Sequence, residues 1–165
     1  MHRVVVTGLG AVTPLGHDAA SYWAGLKRGE DGIRQVELIP PEKLNQKVLG
    51  EVKGFDPEKH FTDRQLPILD RVSQFAVVAA REAIAQAGIS FEGELSERTA
   101  AILGTGVGSQ TTIDESYKRL YEDQQPRVYP LTIPKLMANA PASQVSIHCG
   151  LRGPSFAVAS ACGID

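Results

Sequence analysis

The sequence predicts an α/β protein built on a mostly parallel sheet. Three observations carry that reading. Apolar runs at 3–7, 98–105 and 155–161 lack period-2 alternation, as strands covered on both faces do. Segments with helical spacing separate them. Each run then feeds into a glycine-rich turn or, in the last case, into Cys162-Gly163.

In chain order, Val4-Val5-Val6 forms the centre of the first expected strand, and Gly8-Leu9-Gly10 turns the chain after it. Asp18 is placed to cap a short helix carrying Tyr22, Trp23 and Leu26, which Gly29 or Gly32 ends. Residues 33–69 read as irregular, with a short strand at 48–52 between proline interruptions. The clearest helix is 70–87, where Val72, Phe75, Ala76, Ala79, Ala83 and Ala87 form one stripe and Gly88 stands at the stop. The second strand leads to Gly104-Thr105-Gly106-Val107-Gly108. An amphipathic helix is expected at 113–123, and another at 134–148 that Pro141 kinks or splits. Leu151 to Pro154 make a turn, and the third strand runs to Cys162.

Composition excludes several classes. The 165 residues are enough for one core, burying roughly 70% of the unfolded surface. They are 42% hydrophobic and 22% charged, which disfavours wholesale disorder. Seventeen Lys and Arg against nineteen Asp and Glu give a net charge of −2, so neither nucleic acid nor a polybasic membrane contact is expected. No window approaches the ~18 apolar residues of a membrane span, and Met1-His2-Arg3 does not open a signal peptide. Cys149 and Cys162 do not form a disulfide framework, and a cytoplasmic location follows as the expectation. No His or Cys pair has metal-ligand spacing, and neither a metal nor a cofactor is expected. The Gly8-x-Gly10 motif lacks its third glycine and has Pro14 where a phosphate-binding helix would begin, so it reads as a turn. The 104–108 glycines are no P-loop, since no Gly-Lys-Ser/Thr follows. From spacing alone, Cys162 is either a buried structural cysteine or a thiol held at a strand-to-helix elbow, where the helix start would favour thiolate. The last apolar run has no polar tail after it, so the chain reads as cut.

Several ordered motifs resemble the β-ketoacyl-acyl carrier protein synthases, most closely the elongating synthase II type. They are the opening Val4 to Gly16, Trp23 and Leu26 before Gly32-Ile33, and Leu69-Asp70-Arg71-Val72-Ser73-Gln74-Phe75-Ala76. Gly104 to Gly108 continues the series, and Gly150-Leu151-Arg152-Gly153-Pro154-Ser155 precedes Cys162 by seven residues. The resemblance implies a thiolase-like fold of two βαβαβαββ halves, each with a five-stranded mixed sheet between helices. Residues 1–165 would be an incomplete N-terminal half, truncated at the nucleophile elbow, with the C-terminal half absent. It implies Cys162 as the nucleophile that takes an acyl group as a thioester, its backbone N–H serving as one oxyanion donor. It implies Val107 as the gate of the acyl pocket, leaving more room than isoleucine would, and Ile133 as a pocket position contributed across a dimer. Strand 155–161 would join the two sheets of a homodimer, and acyl carrier protein would be the partner.

The family's two histidines, its lysine and the second oxyanion donor have no counterpart here; His2, His17, His60 and His148 do not match them. Gly163-Ile164-Asp165 also departs from the usual sequence after the nucleophile, and Ile164 is large for the elbow. The implied activity is decarboxylative condensation of an acyl thioester with malonyl-carrier protein, which the 165 residues alone are not expected to complete. The alternative is a non-catalytic partner of the chain-length-factor kind, or a dimerisation remnant.

Overall fold

The computed structural model describes residues 3–40, 42 and 44–160. In chain order the elements are α1 (Ala19–Lys27), β1 (Arg34–Gln35), β2 (Val48–Leu49), α2 (Arg71–Ala87), α3 (Gly93–Arg98), β3 (Ala101–Gly104), α4 (Gln110–Tyr117), α5 (Thr132–Leu136), α6 (Ala140–Cys149) and β4 (Ser155–Val158). Two short 3-10 turns, Pro57–Lys59 and Leu66–Ile68, break the loop before α2.

Helix α2 is the centre. Asp70 caps its start, accepting from the Val72 amide at 3.0 Å, and Gly88 closes it in the left-handed conformation at φ 64°. Ser73, Val77 and Val78 are its buried residues. The last two join Phe55, Phe61 and Leu69 in the hydrophobic core, against which Phe75 and Val145 pack. The alanine stripe is only partly buried, because it takes backbone rather than side chains. A Cβ on Gly8 or Gly10 would lie 2.0 Å from the Ala83 carbonyl oxygen or 1.9 Å from that of Ala79. Glycine is needed there for close approach to α2. Two side chains of α2 hold this segment. Gln86 Oε1 accepts from the Leu9 amide at 2.6 Å, and Glu82 accepts from the amides of Ala11 at 2.9 Å and Ala19 at 2.8 Å.

Asp18 caps α1 as the sequence predicts, accepting from Ser21 N at 2.7 Å. The long helix expected at 134–148 is two helices. Pro141 lies in the first turn of α6, where a missing N–H costs nothing, and the chain breaks at Met137. The 113–123 helix appears as α4 with one wider π-helical turn, Lys118–Glu122, at its end. Helix α3 escaped the sequence reading; it is a six-residue helix without periodicity long enough to read.

Three expectations are corrected. Residues 3–7 are not a strand. Val4 and Val6 are 92% and 79% exposed, because among the described residues no strand lies beside them to accept their hydrogen bonds. The five-stranded sheet is likewise not observed. The described residues form two two-stranded sheets, antiparallel β1–β2 and parallel β3–β4, the latter pairing Ile102 with Phe156. The third strand is shorter than the expected 155–161, ending at Val158. The covered face of β3 packs on α6, whereas Ile102, Phe156 and Val158 are exposed.

Candidate functional site

The C-terminal ends of β3 and β4 point the same way, since the strands are parallel. In α/β sheets ligands bind beyond those ends. Here the Thr105 amide donates to the Val158 carbonyl at 3.0 Å, so the glycine-rich loop after β3 starts beside the end of β4. Cys162 lies four residues further along the sequence. It falls outside the described residues, as do residues 161 and 163–165.

The loop at 104–109 is tightly constrained at one end and open in the middle. Gly108 adopts φ 85°, its amide donates to Thr105 Oγ1 at 2.9 Å, and a Cβ there would touch Ala138 at 3.4 Å. Among the described residues nothing lies within 4 Å of a Cβ on Gly104 or Gly106, and Val107 is 68% exposed. Ile133, on α5, is 62% exposed. The two predicted pocket residues therefore stand on neighbouring elements, since the 104–109 loop meets Ala138 just beyond α5 and α4 packs on α5. Both side chains are open rather than enclosed.

Sequence reasoning missed two clusters. Asp70 is 2% exposed, and its second carboxylate oxygen accepts from Thr112 twice, from the amide at 2.8 Å and from Oγ1 at 2.5 Å. The sequence reading placed Asp70 inside the helix at 70–87 rather than as its cap, and its partner Thr112 is 42 residues away. The other cluster joins α2 to α6. Arg81 donates to the His60 carbonyl at 2.9 Å and lies 3.0 Å from His148 Nδ1, with Phe61 beneath its guanidinium at 5.3 Å. Nδ1 is then the acceptor and the ring proton sits on Nε2. Burial, and then the Arg81 charge, hold the His148 pKa below its ordinary value. Burial pushes the neighbouring Cys149 thiol up, against a smaller pull from Arg81. His17 and His60 pack against Phe55, edge-on at 5.8 Å and stacked at 5.4 Å. Among the described residues no three His, Cys, Asp or Glu side chains gather as a metal-holding group. Nor is any described helix long and apolar enough to cross a membrane.

The model of the β-ketoacyl synthase N-terminal domain matches residues 1–163. The chain belongs to the β-ketoacyl synthase family. A 3-oxoacyl-[acyl-carrier-protein] synthase 2 of Staphylococcus aureus (strain N315) is 34% identical over 160 residues, 97% of this chain and 39% of that protein. Nodulation protein E of Rhizobium sp. (strain N33) is 39% identical over 97% of this chain and 40% of its own length. Among solved structures, the ishigamide ketosynthase/chain length factor superposes with a TM-score of 0.82 at 26% identity, covering 94% of this chain and 39% of that one. A β-ketoacyl synthase from Burkholderia phymatum STM815 gives 0.70 at 27% identity, covering 97% and 39%. The chain thus has the α/β, thiolase-like fold of these ketosynthases, and spans about two fifths of the length of the relatives it matches.

Proposed function

We propose that this chain is the nucleophile-bearing N-terminal part of a 3-oxoacyl-[acyl-carrier-protein] synthase of fatty-acid elongation. The observation that supports it is the family match through residue 163, which includes Cys162, together with the glycine loop anchored to the end of β4. Cys162 thiolate attacks the carbonyl of an acyl thioester, the S-acyl bond forms, and the carrier's thiolate leaves. The Cys162 amide stabilises the oxyanion. In the second half-reaction malonyl-carrier protein loses carbon dioxide, and its carbanion attacks the Cys162 thioester. A C–C bond forms and the Cys162 thiolate is released. Val107 and Ile133 border the acyl chain, and β4 pairs two copies.

Residues 1–165 bring to this reaction the group that accepts the acyl chain. A second reading, a chain-length-factor-like partner, is favoured by the likeness to the ishigamide ketosynthase/chain length factor. Cys162 counts against it. The two readings separate on alkylation followed by peptide mass spectrometry. Iodoacetamide and cerulenin should modify Cys162 at least about tenfold faster than Cys149, whose thiol is held up by burial. Equal, slow labelling of both cysteines overturns the nucleophile assignment.

A further inference from the structure

We propose that Asp70 is a positioning residue: its carboxylate caps α4 in place of that helix's own N-cap side chain, and so fixes the 104–109 loop that carries Val107. The functional consequence rests on the reading of Val107 as a pocket gate; the structural hold does not.

Ser109 is the N-cap of α4, and a serine there ordinarily accepts a hydrogen bond from the amide of the third helical residue. That residue is Thr112. Its amide is instead taken by Asp70 Oδ2 at 2.8 Å, and its hydroxyl donates to the same oxygen at 2.5 Å. Ser109 makes no capping bond, although it is 0% exposed, and its Oγ has no partner among the described residues. The local cap has therefore been displaced by a carboxylate 42 residues earlier in the chain. The other carboxylate oxygen accepts from Val72, so one buried side chain ties the starts of α2 and α4 together. At its far end the loop is pinned by the Thr105 amide on the Val158 carbonyl, and between the two anchors a Cβ on Gly106 would meet nothing described. Inside the loop the Gly108 amide donates to Thr105 Oγ1, and the Asp70–Thr112 anchor holds the other end of that turn, so the two together set where Val107 stands relative to the end of β4.

The test compares Asp70→Asn, Thr112→Val and Thr112→Ser in the 165-residue chain by hydrogen exchange and by alkylation. Asp70→Asn keeps an acceptor for Val72 but turns a donor toward Thr112 or leaves it unpaired. Hydrogen bonds to charged acceptors are strong enough that losing them should raise exchange across 104–112 by about tenfold. Exchange in α2 and α6 should stay within about twofold. Thr112→Val, which retains the amide, should give a smaller rise at the same peptides, and Thr112→Ser should behave as wild type. A uniform rise in all peptides, or none at 104–112 in either Asp70→Asn or Thr112→Val, overturns the hold. Should Asp70→Asn fail to fold, Thr112→Val alone decides.

The second readout is the ratio of Cys162 labelling by iodoacetamide to labelling by an N-dodecyl iodoacetamide, with Val107→Phe as reference. Val107→Phe should raise the ratio at least about threefold, and loosening the anchor should shift it too. An unchanged ratio in Val107→Phe removes the gate reading and leaves exchange to judge the anchor. A shifted ratio in Val107→Phe beside an unchanged one in the loosened variants overturns the positioning role.

Discussion

Substituting Gly10 by alanine should destabilise the protein although it adds only a methyl group. An alanine Cβ would sit 1.9 Å from the Ala79 carbonyl oxygen, and the atom it meets is backbone of α2, held by the helix. Reaching even a tight contact of about 3.0 Å moves the segment by about 1.1 Å. Flanking hydrogen bonds of 2.6 Å from Leu9 to Gln86 and 2.9 Å from Ala11 to Glu82 would not survive that displacement. Overpacking costs about 1–3 kcal/mol, and the lost bonds, one to a charged carboxylate, add roughly 1–2 after solvent competition. A gain of about 0.4–1 kcal/mol from the stiffer unfolded chain offsets part of this. The net loss is about 2.5 kcal/mol, which at about 2 kcal/mol/M lowers the urea midpoint by roughly 1 M. Gly50→Ala is the matched control. Its Cβ would meet only Pro14 Cγ at 3.5 Å, an ordinary contact, so its midpoint should stay within about 0.2 M of wild type. Equal midpoints for the two variants would refute the idea that residues 8–11 are locked onto α2.

Two further outcomes follow from the described contacts. His148 has its folded pKa held below the ordinary 6.5 by burial first and Arg81 second, so the unfolded chain binds the proton more readily. Its contribution is therefore present above about 6.5 and lost as pH falls through that value toward the folded one. His148→Gln should flatten the pH dependence of the urea midpoint between about pH 7.5 and 5, and an unchanged slope would exclude the coupling. The bare sheet face of Ile102, Phe156 and Val158, together with the exposed Val4 and Val6, predicts self-association and binding of hydrophobic dyes. Light scattering across a concentration series checks this, and a dye-silent monomer at every concentration would contradict it.

How much of this was legible depended on the range of the interaction. Asp18, Gly88 and Pro141 could be read because caps and breaks are decided within about one helical turn. The run 3–7 could not, because an apolar run becomes a strand only beside another strand. β3 and β4 had each other and formed, as four-residue strands shorter than the runs 98–105 and 155–161. The alanine stripe of α2 was correctly placed on a packing face, but its periodicity could not say that backbone rather than side chains would cover it. The candidate site divides in the same way. Cys162 and Val107 were marked by motif, whereas the Asp70–Thr112 anchor spans 42 residues and leaves no spacing pattern.

The two Gly-x-Gly segments show why a motif has to be read through its contacts. Gly8-x-Gly10 and Gly104-x-Gly106 look alike, and both follow an apolar run. In the first, each missing Cβ makes room for a carbonyl oxygen of α2, and neither glycine has a left-handed φ. Those glycines are explained by packing alone and need no ligand. In the second, nothing described lies within 4 Å of either missing Cβ, so packing explains neither. That loop is also the one pinned beside the end of β4, at Thr105, and held from the other side through Thr112. Open backbone between two fixed anchors is what a ligand-facing loop requires: room for the ligand to approach, and little freedom to lose when it does. The functional signal is thus carried by the glycines whose space the described residues leave unused.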